Sequence, residues 1–181
     1  MNIFALDDDV TKCAEYHVDR HVVKMILEYS QLLSTAHRVL DGKQSTTVTK
    51  TNRRTTTWRL EDDRESILYK ATHINHPSAL WARASSGNYT WLKNLLVALC
   101  AEYTYRYGRV HRCESIGLVK KLEQLPNNIK HGERVPVFLA MPPQHYNVDS
   151  ILAYRDYYRN GKQHLHSWKG KIAGRETPPW L

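Results

Sequence analysis

No stretch of the chain approaches the ~18 consecutive apolar residues of a membrane-spanning helix, so no membrane partner is expected. The opening "MNIFALDDDV" lacks the basic flank and apolar run of a secretory signal. Cysteine is sparse: Cys13, Cys100 and Cys113 form an odd set with no close pair. That argues against a disulfide framework and fits small buried thiols in a reducing compartment. These absences lead to the expectation of a cytoplasmic protein. Also missing are a Gly-rich phosphate loop, a nucleophile elbow, a Cys-x-x-Cys pair and the kinase signatures. Nucleotide hydrolysis by the common loop and serine hydrolysis on the usual elbow are thereby removed. No motif implies a cofactor. Phenylalanine is scarce as well, 2 residues against 11 Tyr and 5 Trp. Aromatic side chains with a polar handle suit stacking platforms and half-buried surfaces as well as cores.

What is present fits one domain, residues 1–181, since this length buries a real core without staples. Lys and Arg number 26 against 18 Asp and Glu, a net charge of +8. A positive field of this kind draws polyanions, of which nucleic acid is the commonest, with simple solubility as the plainer reading of the charge.

Periodicity gives a mostly α chain, a compact single-domain helical bundle with a Thr-rich basic loop or short hairpin. Asp7, Asp8 and Asp9 precede a run without Gly or Pro from Thr11 to about Leu40. In that run Val18, Val22, Met25, Tyr29, Leu32 and Ala36 recur at helical steps, with Gly42 as a stop. Residues 42–66 read as a polar insertion, rich in Thr, in which Lys50, Arg53 and Arg54 cluster. Pro77 starts a second helical region, divided near Gly87 and ended by Gly108. A shorter helix is expected at 115–125, irregular chain at 126–148, and a last helix capped by Asp149. Residues 163–181 read as a tail packed on the domain.

The sharpest constellation is on the first helix. His17, His21, Lys24 and Glu28 follow at steps of 4, 3 and 4, a stripe about 60° wide beside the apolar face. Titratable groups at the edge of a core often face a cleft. There a His or Glu can move protons and a desolvated Lys can act as a nucleophilic amine. The plainer reading is a boundary stripe with a Lys–Glu pair. Farther on, "THINHPSALWARASSGNYTWLKNLL" gathers His76, Trp81, Arg83, Asn88, Tyr89 and Trp91, with Arg106 along the same border. Arg residues there, with Arg53 and Arg54 of the polar insertion, would meet phosphates, and the aromatics would stack a base; pairing of Arg106 with Glu102 is the structural alternative. His73 and His76 with His17 and His21 would supply four nitrogens to a metal, but the first helix lacks the Glu directly after His17 that the zinc-protease pattern requires, and no metal is assigned.

The pieces "CAEYHVDRHVVKMILEYSQLLSTAH", "NHPSALWARASSGNYTWL", "AEYTYRYGRVH" and "YRDYYRNGK…SWK" resemble a group of short tailed-phage proteins without an established activity. That resemblance implies a host-cytoplasmic setting and leaves 42–66 as an insertion. A fainter one is to the small phage pyrimidine-dimer DNA glycosylases of the endonuclease V type, all-helical enzymes that excise damaged bases and nick the strand. It rests on Ala14 to His17, Asn75-His76, Arg106 to Gly108 and "SWKGK". That family attacks with the amine of a small residue exposed by Met removal, whereas Asn2 disfavours such trimming. Its catalytic glutamate falls near Lys24 in this register, with Glu28 one turn on. The same chemistry would therefore need the Met1 amine or Lys24 as nucleophile.

The expectation is a nucleic-acid-directed enzyme acting on a nucleobase, a DNA glycosylase or glycosylase–lyase of DNA repair or modification. His21, Lys24, Glu28 and His17 would be its catalytic groups. Two rivals stand beside it: a non-catalytic basic protein that binds nucleic acid or a host factor, and a His-ligated metal-dependent hydrolase.

Overall fold

The computed structural model describes residues 1–48, 51–52 and 54–181. Two long helices, α2 (Asp19–Asp41) and α5 (Ser86–Tyr107), pack against each other, with α1 (Val10–Tyr16) on α5 and α4 (Pro77–Ala82) on α2. Their shared face buries Val22, Met25, Ile26, Tyr29, Leu32 and Leu33 of α2 against Leu92, Leu95, Leu96 and Leu99 of α5. Helix starts follow local capping: Asp9 accepts from the Lys12 amide, and Ser85 from that of Asn88. Gly108 closes α5 with φ +66°, a conformation that favours glycine. Between α2 and α4 the Thr-rich insertion forms a hairpin, β1 (Lys43–Val48) antiparallel to β2 (Arg54–Arg59), with Lys43 opposite Arg59. Mostly exposed, it adds little to the core, and a single turn, α3 (Arg64–Ile67), follows it. All three cysteines are buried and free. No helix among the described residues is long and apolar enough to cross a membrane.

Several boundaries differ from the sequence expectation. The helix from Thr11 to Leu40 is broken at His17 and Val18, both in extended conformation. Arg106 makes the break, donating to the carbonyls of Glu15 at 2.8 Å and His17 at 2.9 Å. Those carbonyls therefore need no helical partner. The second region divides at Arg83–Ser85, and Gly87 lies inside the first turn of α5. There its bare Cα meets the backbone of residues 132–134; a Cβ would lie 2.4 Å from the Arg134 nitrogen. In place of one helix at 115–125 stand two single turns, α6 (Arg112–Ser115) and α7 (Leu118–Lys121), separated by Gly117 at φ +79°.

Two irregular segments complete the packing. Residues 126–148 cover the entrance of α5, and the last helix, α8 (Ser150–Asp156), widens into a π turn over Tyr157–Gly161. Beyond it the tail returns over the α1–α2 break. Trp168 Nε1 donates to the Tyr16 carbonyl, and the Lys171 and Ile172 amides donate to that of Arg106.

Candidate functional site

The first six residues are an extended arm. Ile3, Phe4, Ala5 and Leu6 are buried, and the amides of Phe4 and Leu6 donate to Tyr29 Oη and Cys13 Sγ. Docking this arm brings the start of the chain to the side of α2. The Asn2 amide lies 3.4 Å from Glu28 Oε2, and Asn2 Nδ2 donates to the Ala140 carbonyl at 2.8 Å. Ser78, in the first turn of α4, donates to the Met1 carbonyl. Between these elements lies a cavity of about 280 Å³ bounded by Met1, Asn2 and Phe4 of the arm and by His21, Lys24, Met25 and Glu28 of α2. His76, Ala140 and Lys162 close it.

Three of the four stripe residues thus share a pocket. Lys24 Nζ pairs with Glu28 Oε1 at 3.1 Å; the lysine side chain is 66% exposed and the glutamate only 14%. The expected desolvation of Lys24 is therefore absent, because its amine reaches out to solvent while the carboxylate is enclosed. His21 is buried, stacked on Phe4 with centroids 4.4 Å apart, and its Nδ1 lies 2.5 Å from Tyr158 Oη. Burial first, then the charges of Lys162 and Lys24 beside the neighbouring His17, pushes it down to about 3. Burial also holds Tyr158 well above the usual phenol range, so the hydroxyl keeps its proton. Among the described residues His21 Nδ1 is the one acceptor within hydrogen-bond distance of the hydroxyl, so that proton goes to His21 Nδ1 and leaves Nε2–H as the free donor of the ring. His76 reaches the same state by another route. Its Nδ1 accepts from the Ser78 amide at 3.1 Å, and burial together with the Met1 amine and His73 lowers its pKa, against an opposing pull from Glu28. Chemically the site offers ammonium groups, two neutral imidazole N–H donors and a single carboxylate.

His17 does not belong to it. The break before α2 removes it from the stripe; it is fully buried, with Nδ1 2.6 Å from the Cys13 carbonyl and Nε2 3.4 Å from Tyr29 Oη. Burial pushes it down to about 4. It is a structural residue at a helix end.

The tryptophan-rich stretch is corrected more thoroughly. Trp81 and Trp91 are buried and packed edge to face, their indole N–H groups donating to the Pro136 carbonyl at 2.9 Å and the Asp8 carbonyl at 3.1 Å. Asn88 bridges the Trp81 carbonyl and the Val135 amide. Tyr89 is fully buried and donates to the Leu122 carbonyl. Arg106 is fully buried as well, paired with Glu102 at 2.6 Å and Asp19 at 2.8 Å. Each of these five is occupied by internal partners, and none lines the cavity. Arg83 is half-buried; it donates to the Ile74 carbonyl at 2.7 Å and lies outside the cavity lining. Arg54 opens the exposed strand β2, apart from the pocket, while Lys50 and Arg53 lie outside the described residues. Among the described residues proposed as nucleic-acid contacts, only His76 lines the cavity.

The four histidines suggested for a metal do not gather. Among the described residues no group of three or more His, Cys, Asp or Glu is placed to hold an ion. Missed from the sequence were Lys162 and Tyr158, which the π turn delivers to the pocket and to His21. The only visible signal was a lysine following Asn-Gly at the end of a tyrosine-rich helix. Comparison of the chain with protein-family models, with curated proteins and with solved structures finds no match.

Proposed function

We propose that this pocket is the active site of a nucleic-acid-directed enzyme that attacks C1′ of a deoxyribose, a DNA glycosylase or glycosylase–lyase. The observation that carries the reading is an amine–carboxylate pair, Lys24 with the enclosed Glu28, in a cavity whose other titratable groups are amines and imidazoles. The nucleophile is Lys24 Nζ or the Met1 amine, both of which line the cavity. Its lone pair forms a bond to C1′ as the glycosidic C–N bond breaks, and that electron pair leaves with the base, which takes up a proton. Glu28 accepts the proton shed by the attacking nitrogen. Opening of the sugar ring, with O4′ leaving C1′ and taking that proton from Glu28, gives a protonated imine and restores the carboxylate. Glu28 can then remove a C2′ proton, so that the C3′–O bond breaks and the 3′ phosphate departs; water hydrolyses the imine and restores the amine. With Trp81, Tyr89 and Trp91 in the core, the pocket holds the sugar, and the base is not stacked by those rings.

Borohydride trapping on an abasic oligonucleotide tests this. The wild type should form a covalent adduct and Glu28→Gln should slow it. Loss of the adduct in Lys24→Ala assigns the attack to Lys24, and loss on adding residues ahead of Met1 assigns it to the α-amine. A wild type that gives no adduct removes the covalent mechanism.

A further inference from the structure

The π turn at Tyr157–Gly161 gives the pocket a residue that the catalytic scheme does not use. Single π turns in α-helices are frequent at functional sites. Here the turn lays Tyr158 on His21 and carries Lys162 to the cavity wall, its Nζ 4.8 Å from the centroid of the Tyr157 ring. Gly161 permits this path: a Cβ there would lie 2.5 Å from Tyr157 Cδ2.

Lys162 is half-buried and forms no ion pair among the described residues. Glu28 is already shared by Lys24 and the Asn2 amide, and no other carboxylate lines the cavity. The pocket therefore holds more positive charge than negative, and two N–H donors from uncharged imidazoles besides. A half-buried cation facing a cavity without a counter-ion invites an anion. A lining that combines ammonium and imidazole N–H donors favours phosphate, whose oxygens accept several charge-assisted bonds at once. A flat base is less well served, since the Phe4 ring is covered by His21.

We infer that Lys162, with the Nε2–H groups of His21 and His76, forms a phosphate subsite that holds the phosphate of a deoxyribose-phosphate unit. The position of the sugar carbon at the Lys24–Glu28 pair rests on the enzymatic reading above; the phosphate subsite does not. The phosphate belongs either to a free sugar phosphate or to a strand. Tyr158 is a positioning residue here, acting through the His21 tautomer.

Calorimetric titration of the full chain with 2-deoxyribose 5-phosphate, inorganic phosphate and a single-stranded oligonucleotide carrying a tetrahydrofuran abasic analogue tests the assignment. Lys162→Met should weaken every phosphate-bearing probe that the wild type binds by about tenfold or more, the loss of one charge-assisted bond. Lys162→Arg should keep the affinity, and circular dichroism should show both variants folded. Saturation by the small probes assigns a terminal phosphate; saturation by the oligonucleotide alone assigns a phosphodiester. Unchanged affinity in Lys162→Met, or no saturable binding of any of the three by wild type, overturns the subsite. Borohydride trapping separates the two claims: Lys162-dependent binding without an adduct removes the lyase chemistry alone, and an adduct with Lys162-independent binding removes the subsite alone.

Discussion

Acidification should unfold this protein well before its carboxylates are neutralised, and the cause is three buried imidazoles. His17, His21 and His37 are pushed down to about 4, 3 and 4, in each case chiefly by burial. For His37 the second cause is Arg64, whose Nη1 lies 2.9 Å from Nδ1, while Nε2 faces Tyr89 Oη at 2.7 Å. Each ring is neutral in the fold and takes a proton near 6.5 once the chain is unfolded, so the unfolded state binds more protons below that value. The stabilisation is fully present above pH 6.5 and is lost as pH falls toward the folded values. With nearly three protons in play at pH 5, the slope is about 4 kcal/mol per pH unit. Between pH 7 and pH 5 the loss sums to about 5 kcal/mol, comparable to the whole stability of a domain of this size. Urea unfolding followed by circular dichroism at pH 7, 6 and 5 measures it, and His37→Gln should reduce the slope by about a third if the fold tolerates the amide. A stability that changes by less than one proton's worth across this range would refute the reasoning. So would imidazole proton resonances that titrate near 6.5 in the folded protein.

Three further outcomes follow from the packing. Arg106→Met should cost about 3–5 kcal/mol in urea unfolding, because Asp19 and Glu102 lose the buried guanidinium between them; oligonucleotide affinity per folded molecule should not change, and a selective loss of binding would return Arg106 to the ligand surface. Gly87→Ala should destabilise despite the better helix propensity of alanine, since its Cβ meets backbone at 2.4 Å; a raised melting temperature would contradict the close approach. Arg54→Ala should leave stability within about 0.5 kcal/mol, as expected of an exposed hairpin residue. Any contact of Arg54 with a nucleic-acid backbone will appear as a shallower salt dependence of binding, by somewhat under one unit of slope; an unchanged slope removes the hairpin from the interface.

The stripe of His21, Lys24 and Glu28 was legible because i, i+3 and i+4 spacing is local, and α2 is helical over all three. The mostly helical chain and the Thr-rich hairpin were legible for the same reason, as were the caps at Asp149 and Gly108. His17 was misplaced because nothing near it in sequence announces a break. The break is made by Arg106, 89 residues away, and by the tail that closes over it. Trp81, Trp91 and Arg106 lie at the border of an apolar face, which a single helix leaves open to solvent. Here that border is covered by chain without helical period, the carbonyls of Val135 and Pro136 over Trp81 and the Asp8 carbonyl over Trp91. A polar-tipped aromatic looks the same in sequence whether its N–H meets a ligand or a distant carbonyl. Lys162 was invisible for a different reason: five residues of π geometry shift the helical phase, so period counting from α8 aims it wrongly.

The site and the fold are joined at the N-terminal arm. Its residues pair with no strand, so their backbone donors are met by side chains: Asn2 by Glu28, Phe4 by Tyr29 and Leu6 by Cys13. Of those acceptors Glu28 lines the pocket, where it holds the arm and pairs with Lys24 at once. Phe4 fills the floor, and the same ring stacks His21, which Tyr158 then orients. Loosening the arm would therefore uncover Phe4, free His21 to accept a proton and release Glu28 from the Asn2 amide together. Pocket electrostatics and arm docking rise and fall as one equilibrium, so a ligand that binds the closed pocket must also stabilise the arm, by the same free energy with which the docked arm improves its affinity.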